Sequence, residues 1–307
     1  MPTYLITQAT GQQGGWTITH LLAAGATVHA LVRDPQKIPS TLQRPGVTLF
    51  EGDNEDSGAI FRAAQGCKGV FLNTYPSYTD VTSEGRQAQT ILDACKKAGV
   101  EAVVAATALY TGNKELWGDD ESMKLVGGYY TSKTSIEDAV HGAGLKAYTI
   151  LRTGFVHSNY LLPAVHRNIP ALPQTGELDH AFDDGVRLPH IDEHDFGKYA
   201  AAALLDPAKF DKQEIEMGNE SLTIEEVRDI IARVSGRDVK VKKRTAAEIE
   251  EASTTVPAQR FHLWANIKDL SMDTQATVDK FGIPFTSLEV YLEREKSRLL
   301  ECLPSPK

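Results

Sequence analysis

Short runs of β-branched and aliphatic residues recur along the first half of the chain, and longer amphipathic stretches separate them. The runs Tyr4–Thr7, Thr27–Val32, Val47–Phe50, Gly69–Asn73, Ala102–Ala106 and Ala147–Leu151 predict strands. Helical spacing of apolar residues predicts helices over Gly14–Ala24, Ser57–Gln65, Ser83–Ala98 and Thr131–Ala143. Several of these helices are followed by glycine, at Gly25, Gly66, Gly99 and Gly144, the expected C-terminal stop. Strands that recur with helical crossovers between them predict a parallel, doubly wound α/β sheet.

The pattern loosens after Arg152. Asn159–Val186 carries Pro163, Pro170 and Pro173 and reads as loop or short irregular helix. Asp195–Leu205 predicts a helix with an Ala-rich face, and strands follow near Glu214–Met217 and Val239–Lys242. Between those strands Thr223 and Glu226 have the spacing of a capping box, which has a structural explanation. Further helices are predicted over Ala246–Ala252, Thr274–Phe281 and Ser287–Glu301.

Composition narrows the classes. The 307 residues are 41% hydrophobic and 24% charged, enough for one large α/β domain with a smaller lobe. The formal charge of −9 repels phosphate backbones and anionic lipids, so neither nucleic acid nor a membrane is expected as a partner. Cys67, Cys95 and Cys302 are sparse, odd in number and far apart, which suggests a reducing compartment. The first residues show no basic segment and too short an apolar run for a signal peptide, so a cytoplasmic location is expected.

The sharpest local signal is Thr7-Gln8-Ala9-Thr10-Gly11-Gln12-Gln13-Gly14-Gly15, which follows the first strand and opens a helix. Gly11 permits a tight turn, and Gly14 removes a side chain where backbone must approach a pyrophosphate. The helix N-terminus adds free N–H groups and partial positive charge for the anion. The next strand ends Leu31-Val32-Arg33-Asp34, where an NAD site usually places an acidic residue on the ribose 2′-hydroxyl. Arg33 can instead grip a 2′-phosphate, and Lys37 can add a second charge, which favours NADP(H). Asp34 argues the other way, since it can pair with Arg33 or take the ribose itself.

These residues, with Glu51-Gly52-Asp53 after the third strand, resemble the NmrA-like branch of the atypical short-chain dehydrogenases. Lys133-x-x-x-Glu137, Leu151-Arg152-x-Gly154-Phe155-x-x-x-Asn159, Pro189-x-Ile191-Asp192-x-x-Asp195-x-Gly197 and Gly218-x-x-x-Leu222-Thr223-x-x-Glu226 extend the likeness over nearly the whole chain. The resemblance implies a Rossmann domain over residues 1–155, to which 189–206 return, and a smaller, mainly C-terminal α/β substrate lobe over 156–188 and 207–307. It also implies that Thr10, Gly11, Gln13 and Gly14 hold the pyrophosphate and Arg33 the 2′-phosphate. Asp53 and Asn54 would border the adenine, and Thr74, Tyr75, Phe155 and Val156 the nicotinamide half. Gln8 departs from the small residue usual at that loop position, so its side chain must point away from the pyrophosphate or the loop must differ.

The family contains reductases and also members that bind the dinucleotide without turnover and sense redox state for a protein partner. Tyr129 and Lys133 are four apart and would share a helix face, so the ammonium could favour phenolate and also hold the nicotinamide ribose. Thr107, past the fifth strand, would orient a reacting oxygen. In the catalytic reading Tyr129, Lys133 and Thr107 serve reduction of a carbonyl or conjugated enone on a small organic substrate. In the other, Lys133 serves only the ribose, Tyr130 can be the inward tyrosine, and the protein is a sensor with a regulatory protein partner or a cofactor-assisted isomerase. The stretch Gly112–Gly128, with Trp117 and the acidic run Asp119-Asp120-Glu121, reads as an insertion that blurs the placement of Tyr129.

Other groups point to structure. His190-Ile191-Asp192-Glu193-His194 lacks the HExxH spacing of a metal site, and no G-x-S-x-G elbow supports a hydrolase. His157, His166 and His180 read as loop histidines, and Lys240-x-Lys242-Lys243-Arg244 as a solvated strand edge. Phe261, His262 and Trp264 can either line a cleft or form core.

Overall fold

Strands of a parallel sheet covered on both faces need apolar residues at nearly every position. The six strands β1 (Thr3–Ile6), β2 (Thr27–Val32), β3 (Val47–Glu51), β4 (Cys67–Leu72), β5 (Ala102–Ala108) and β6 (Ala147–Thr153) follow that rule most strictly at β5, where all seven residues are buried. The computed structural model describes residues 1–77 and 79–305. It divides into two units: residues 1–114, 128–153 and 193–217 form one, and 115–127, 154–192 and 218–307 the other.

The first unit is a seven-stranded, wholly parallel sheet in the order Gln213–Met217, β6, β5, β4, β1, β2, β3. The strand order reverses at β1, and ligands of doubly wound folds bind outside the carboxyl ends of the strands at such a reversal. Its crossovers are α1 (Gln12–Ala23), α2 (Ser57–Ala64) and α3 (Ser83–Ala98), followed by the short α4 (Lys114–Trp117) and the long α5 (Asp120–Gly142). Ile60 of α2, Ile91 of α3 and Ile136 of α5 share one buried cluster with Leu5, Val70 and Ile150 of the sheet. On the other face, Gly197 of helix Glu193–Leu205 abuts Trp16, and a Cβ there would lie 2.5 Å from the Trp16 Cβ. Gly25, Gly66, Gly99 and Gly144 all take positive φ, as the helix stops require.

Several boundaries differ from the sequence expectation, and residues 115–127 and 189–192 fall in the second unit rather than the first. Gln213–Met217 pairs with β6 along its length and buries Ile215 and Met217, so residues 207–217 belong with the large sheet and not with the smaller lobe. β6 would otherwise present an unpaired edge. The supposed insertion is largely helix: α5 starts at Asp120, where the Asp119 carboxylate accepts the N–H groups of Glu121 and Ser122. Such a cap offsets the poor helix propensity of Gly127 and Gly128 within the helix.

The second unit contains a three-stranded sheet of Ser221–Leu222, Leu188–Ile191 and Phe155–Val156. Glu177–His180, expected to be irregular, is a strand paired in parallel with Lys240–Lys243. The capping box of Thr223 and Glu226 forms as expected. Lys240, Lys242 and Lys243 line a solvated edge, but Arg244 is buried against Asp179 and Gln259. A helix over Gln259–Ile267 settles the Trp264 alternatives in favour of core: His262 and Trp264 are buried, and the indole N–H donates to the Leu116 carbonyl at 2.9 Å. The C-terminal helix breaks at Glu295 into Leu288–Arg294 and Lys296–Cys302.

Polar burial in this unit is concentrated on histidine. His190 Nδ1 donates to the Leu188 carbonyl at 2.7 Å, so Nε2 accepts the Tyr160 hydroxyl at 2.8 Å and the ring is neutral. Asp192 is paired with Arg294 at 2.8 Å. His157 and His180 are buried, unlike the exposed loop residues expected, while His166 is exposed. The three cysteines are free and buried, and burial pushes the thiols of Cys67 and Cys302 up to about 12 and about 11. Among the described residues no helix is long and apolar enough to cross a membrane.

Burial holds His190 down to about 4 and His262 down to about 3. Between those values and the ordinary histidine value near 6.5, the unfolded chain binds more protons than the folded one. Stability is therefore expected to fall as pH drops from about 6.5 toward 4, by up to about 1.4 kcal/mol per pH unit for each site. Urea unfolding at pH 7.5, 6, 5 and 4.5 measures this, and a flat profile would contradict the buried neutral assignment.

Candidate active site

The loop between β1 and α1 is shaped by one backbone contact. Gln8 takes φ +47°, a left-handed conformation that costs an ordinary L residue roughly 1–2 kcal/mol. Its carbonyl receives the Gly11 N–H at 2.9 Å and lies directly beneath Gly14, where a Cβ would sit only 2.5 Å from it. Gly14 is thus required by the strand-to-helix approach within the loop itself, and not only by an approaching pyrophosphate. Gln8 also lines the neighbouring cleft. The N-terminus of α1 has no side-chain cap and no acidic residue in its first turn, so its N–H groups and partial positive charge are left for an anion.

Beside this loop lies an open cleft of about 290 Å³ lined by Gln8, Thr10, Leu31, Val32, Arg33, Gly52, Asp53 and Asn54. Four residues named from sequence, Thr10, Arg33, Asp53 and Asn54, are thereby brought together. Asp34 binds Lys37 at 3.2 Å and caps the Gln36 N–H, and among the described residues no carboxylate pairs with Arg33. Asp34 is thus not spent on Arg33, and Lys37, with its side chain 85% exposed, serves that pair. Asp53 holds the turn ahead of α2 by accepting the N–H groups of Glu55 and Asp56. Gln13 accepts the Asn73 side-chain amide at 2.9 Å.

The Tyr75 ring lies 5.6 Å from the Arg33 guanidinium carbon, beside the residue that the resemblance assigns to the 2′-phosphate. Thr74 is buried, and its hydroxyl donates to Glu84 at 2.7 Å. Phe155 and Val156 belong to the second unit, where they pair in parallel with His190 and Ile191.

The central helix resolves the two tyrosines. Tyr130 is buried, donates its hydroxyl to the Leu109 carbonyl at 2.9 Å, and has its phenol pushed well above the ordinary value by burial. Tyr129 is half-buried, and the Lys133 ammonium lies 5.3 Å from the centre of its ring, as a four-residue spacing on a helix requires. The ammonium itself is bound to Glu84, on the first turn of α3, at 2.7 Å, and Ser132 donates to the other carboxylate oxygen at 2.8 Å. Glu84 is 1% exposed and so receives three donors in a dry setting. This partner offsets the charge that was expected to favour a Tyr129 phenolate.

Thr107 also has a different position from the one expected. It is buried, and its hydroxyl donates to Glu137 at 2.7 Å, so its hydrogen is not offered to a reacting oxygen. Glu137 in turn takes two bonds from the buried Arg152, which also meets Glu214 and Glu216. Glu137 and Arg152 stood in the sequence as motif residues, and their mutual pairing is what the motif accomplishes. Sequence reasoning missed Glu84 and Gln87 altogether, because a polar residue in the first turns of an amphipathic helix carries no mark of burial. It also missed Tyr110, which takes φ +67° after β5 and donates its N–H to Glu216 at 2.9 Å.

Residues 2–277 match the profile of the NmrA-like family. Quinone oxidoreductase 2 of Escherichia coli (strain K12) is 26% identical over 281 residues, covering 91% of this chain and 88% of that protein. Dihydroflavonol 4-reductase of Zea mays is 32% identical over 229 residues, covering 62% of this chain and 64% of that enzyme. Among solved structures, the NADPH-dependent quinone oxidoreductase QOR2 from Escherichia coli, complexed with NADPH, matches with a TM-score of 0.76 at 22% identity over 95% of this chain and 99% of that one. NmrA, a negative transcriptional regulator, in complex with NADP matches with a TM-score of 0.74 at 19% identity over 97% and 96%. These structures share the fold.

The loop geometry separates two adjacent glycines. Gly14→Ala must push a Cβ against the Gln8 carbonyl and is expected to cost about 1–3 kcal/mol, as overpacking does. Gly15→Ala meets nothing closer than the Thr41 hydroxyl at 4.0 Å and is expected to stabilise by roughly 0.5–1 kcal/mol. Urea unfolding of both variants tests the pair, and equal effects would contradict the contact described.

Proposed function

Because this chain belongs to the NmrA-like family, we propose that it is an NADP(H)-dependent oxidoreductase that reduces a carbonyl, conjugated enone or quinone on a small organic molecule. The observation that carries this reading is the cleft itself: an uncapped helix N-terminus stands beside it, and an arginine with no acidic partner among the described residues forms its wall. A glycine cradle that a Cβ would fill and a cationic wall suit a dinucleotide with an extra phosphate. The full-length likeness to a quinone oxidoreductase, and the partial likeness to a dihydroflavonol reductase, support the class of acceptor.

In this reading the N–H groups of α1 with Thr10, Gly11, Gln13 and Gly14 hold the pyrophosphate, and Arg33 holds the 2′-phosphate. Asp53 and Asn54 border the adenine. A reduced nicotinamide, when bound, supplies a hydride, which carries the two electrons of the reduction. Tyr129 gives the accompanying proton to the substrate oxygen, since Tyr130 is spent on the Leu109 carbonyl. Lys133, anchored on Glu84, keeps further N–H donors for the nicotinamide ribose. Thr107 has no part in proton transfer, because its hydrogen is held by Glu137.

One observation favours a second reading, a nucleotide-binding sensor that acts on a protein partner without turnover. The ammonium of Lys133 and the hydroxyl of Thr107 are both committed to buried carboxylates. NADPH consumption over a panel of quinones, enones and simple carbonyls decides between the two. We expect turnover of at least one acceptor, and with a carbonyl acceptor a loss on the order of 100-fold in kcat for Tyr129→Phe, with nucleotide affinity within about twofold. No turnover with any acceptor would leave the sensor reading standing, and an undiminished Tyr129→Phe would remove Tyr129 from the chemistry.

A further inference from the structure

Arg33 is exposed, and its recorded contact is the ring of Tyr75, whose centre lies 5.6 Å from the guanidinium carbon. A guanidinium resting on an aromatic face keeps its in-plane N–H donors available, and those are the donors a phosphate accepts in pairs. A free arginine side chain loses considerable rotamer freedom on binding, so a surface that already holds it lowers that cost.

The ring is itself held from behind. The Gln87 side-chain amide, on α3, accepts the Tyr75 N–H at 2.9 Å and donates to the Tyr75 carbonyl at 3.0 Å. The same Gln87 oxygen accepts the Asn54 amide at 3.1 Å, and Asn54 lines the cleft and also donates to the Asn73 carbonyl. Gln87 and Asn54 are both buried, at 8% and 6% exposure, while Tyr75 is 54% exposed. A hydrogen-bonded bracket therefore ends in an exposed ring beside Arg33, which lines the cleft. An exposed tyrosine clamped at both its N–H and its carbonyl by one buried side chain is built to place something, and what it meets is Arg33.

We propose that Tyr75 is a positioning residue for cofactor choice: it holds Arg33 ready for a ribose 2′-phosphate, and Gln87 fixes it in place. The proposal rests on the reading of the cleft as a dinucleotide site. It assigns Tyr75 to the adenosine end and gives the selectivity for the phosphorylated nucleotide two parts, a charge and a platform.

Calorimetry on the purified protein with four probes tests this: NADPH, NADH, 2′,5′-ADP and AMP. Tyr75→Leu is expected to weaken NADPH and 2′,5′-ADP about twofold to fivefold, the range of an exposed cation–π contact, and to leave NADH and AMP unchanged. Tyr75→Phe keeps the ring and is expected to bind like the parent. Gln87→Leu frees the Tyr75 backbone and also releases Asn54, so it is expected to weaken NADPH and 2′,5′-ADP by more than any change common to all four probes. The inference is overturned if Tyr75→Leu weakens all four probes equally or none, or if Tyr75→Phe behaves as Tyr75→Leu. Arg33→Ala separates its failure from that of the underlying reading. If the parent binds none of the probes, the dinucleotide site is wrong; if Arg33→Ala weakens NADPH and 2′,5′-ADP but Tyr75→Leu leaves both unchanged, only the platform is wrong.

Discussion

The contact between the Gln8 carbonyl and the bare α-carbon of Gly14 is the constraint on which the candidate site depends. It lets α1 begin immediately after β1, at the point where the strand order reverses. With Gly11 as an extended N-cap that contributes no side-chain bond, the helix keeps its N-terminal donors unspent. A larger residue at position 14 would push the helix away from the strand, and the cleft between Thr10 and Arg33 would lose one wall. The left-handed Gln8 is the strain that accompanies this approach, and it lies at a strand end, where doubly wound folds place ligands.

A second constraint acts on the long helix. Lys133 and Glu137 are one turn apart and are bound to different elements, one to Glu84 of α3 and the other to Arg152 of β6. Buried ion pairs seldom add much net stability, since desolvation offsets the attraction, but removing one partner leaves an uncompensated charge. The pairs therefore act mainly on rotation: with both formed, α5 cannot turn about its axis, and Tyr129 rather than Tyr130 is left half-buried. The ambiguity between adjacent tyrosines is decided by side chains on other elements.

That is why the sequence was clear on some matters and silent on others. The parallel sheet was legible because a strand buried on both faces must be apolar throughout, and β2 and α3 fall where periodicity puts them. The glycine loop was legible because its geometry is local. The seventh strand of the sheet was legible as a strand but not as a neighbour of β6, since pairing depends on residues some sixty positions away. The start of α5 was hidden by Gly127 and Gly128, which read as a break although the Asp119 cap sustains the helix. Thr107 and Lys133 were found as residue types, but their engagement by Glu137 and Glu84 could not be read from one chain. Tyr75 was assigned by position along the loop after β4, and its ring contact with Arg33 could not be read from that position.

The buried thiols have a consequence for how this molecule can take part in electron traffic. A sulfur that stays protonated and shielded neither attacks a disulfide nor yields readily to peroxide. Whatever reducing equivalents pass through the protein must then travel on something it borrows, not on atoms of its own chain.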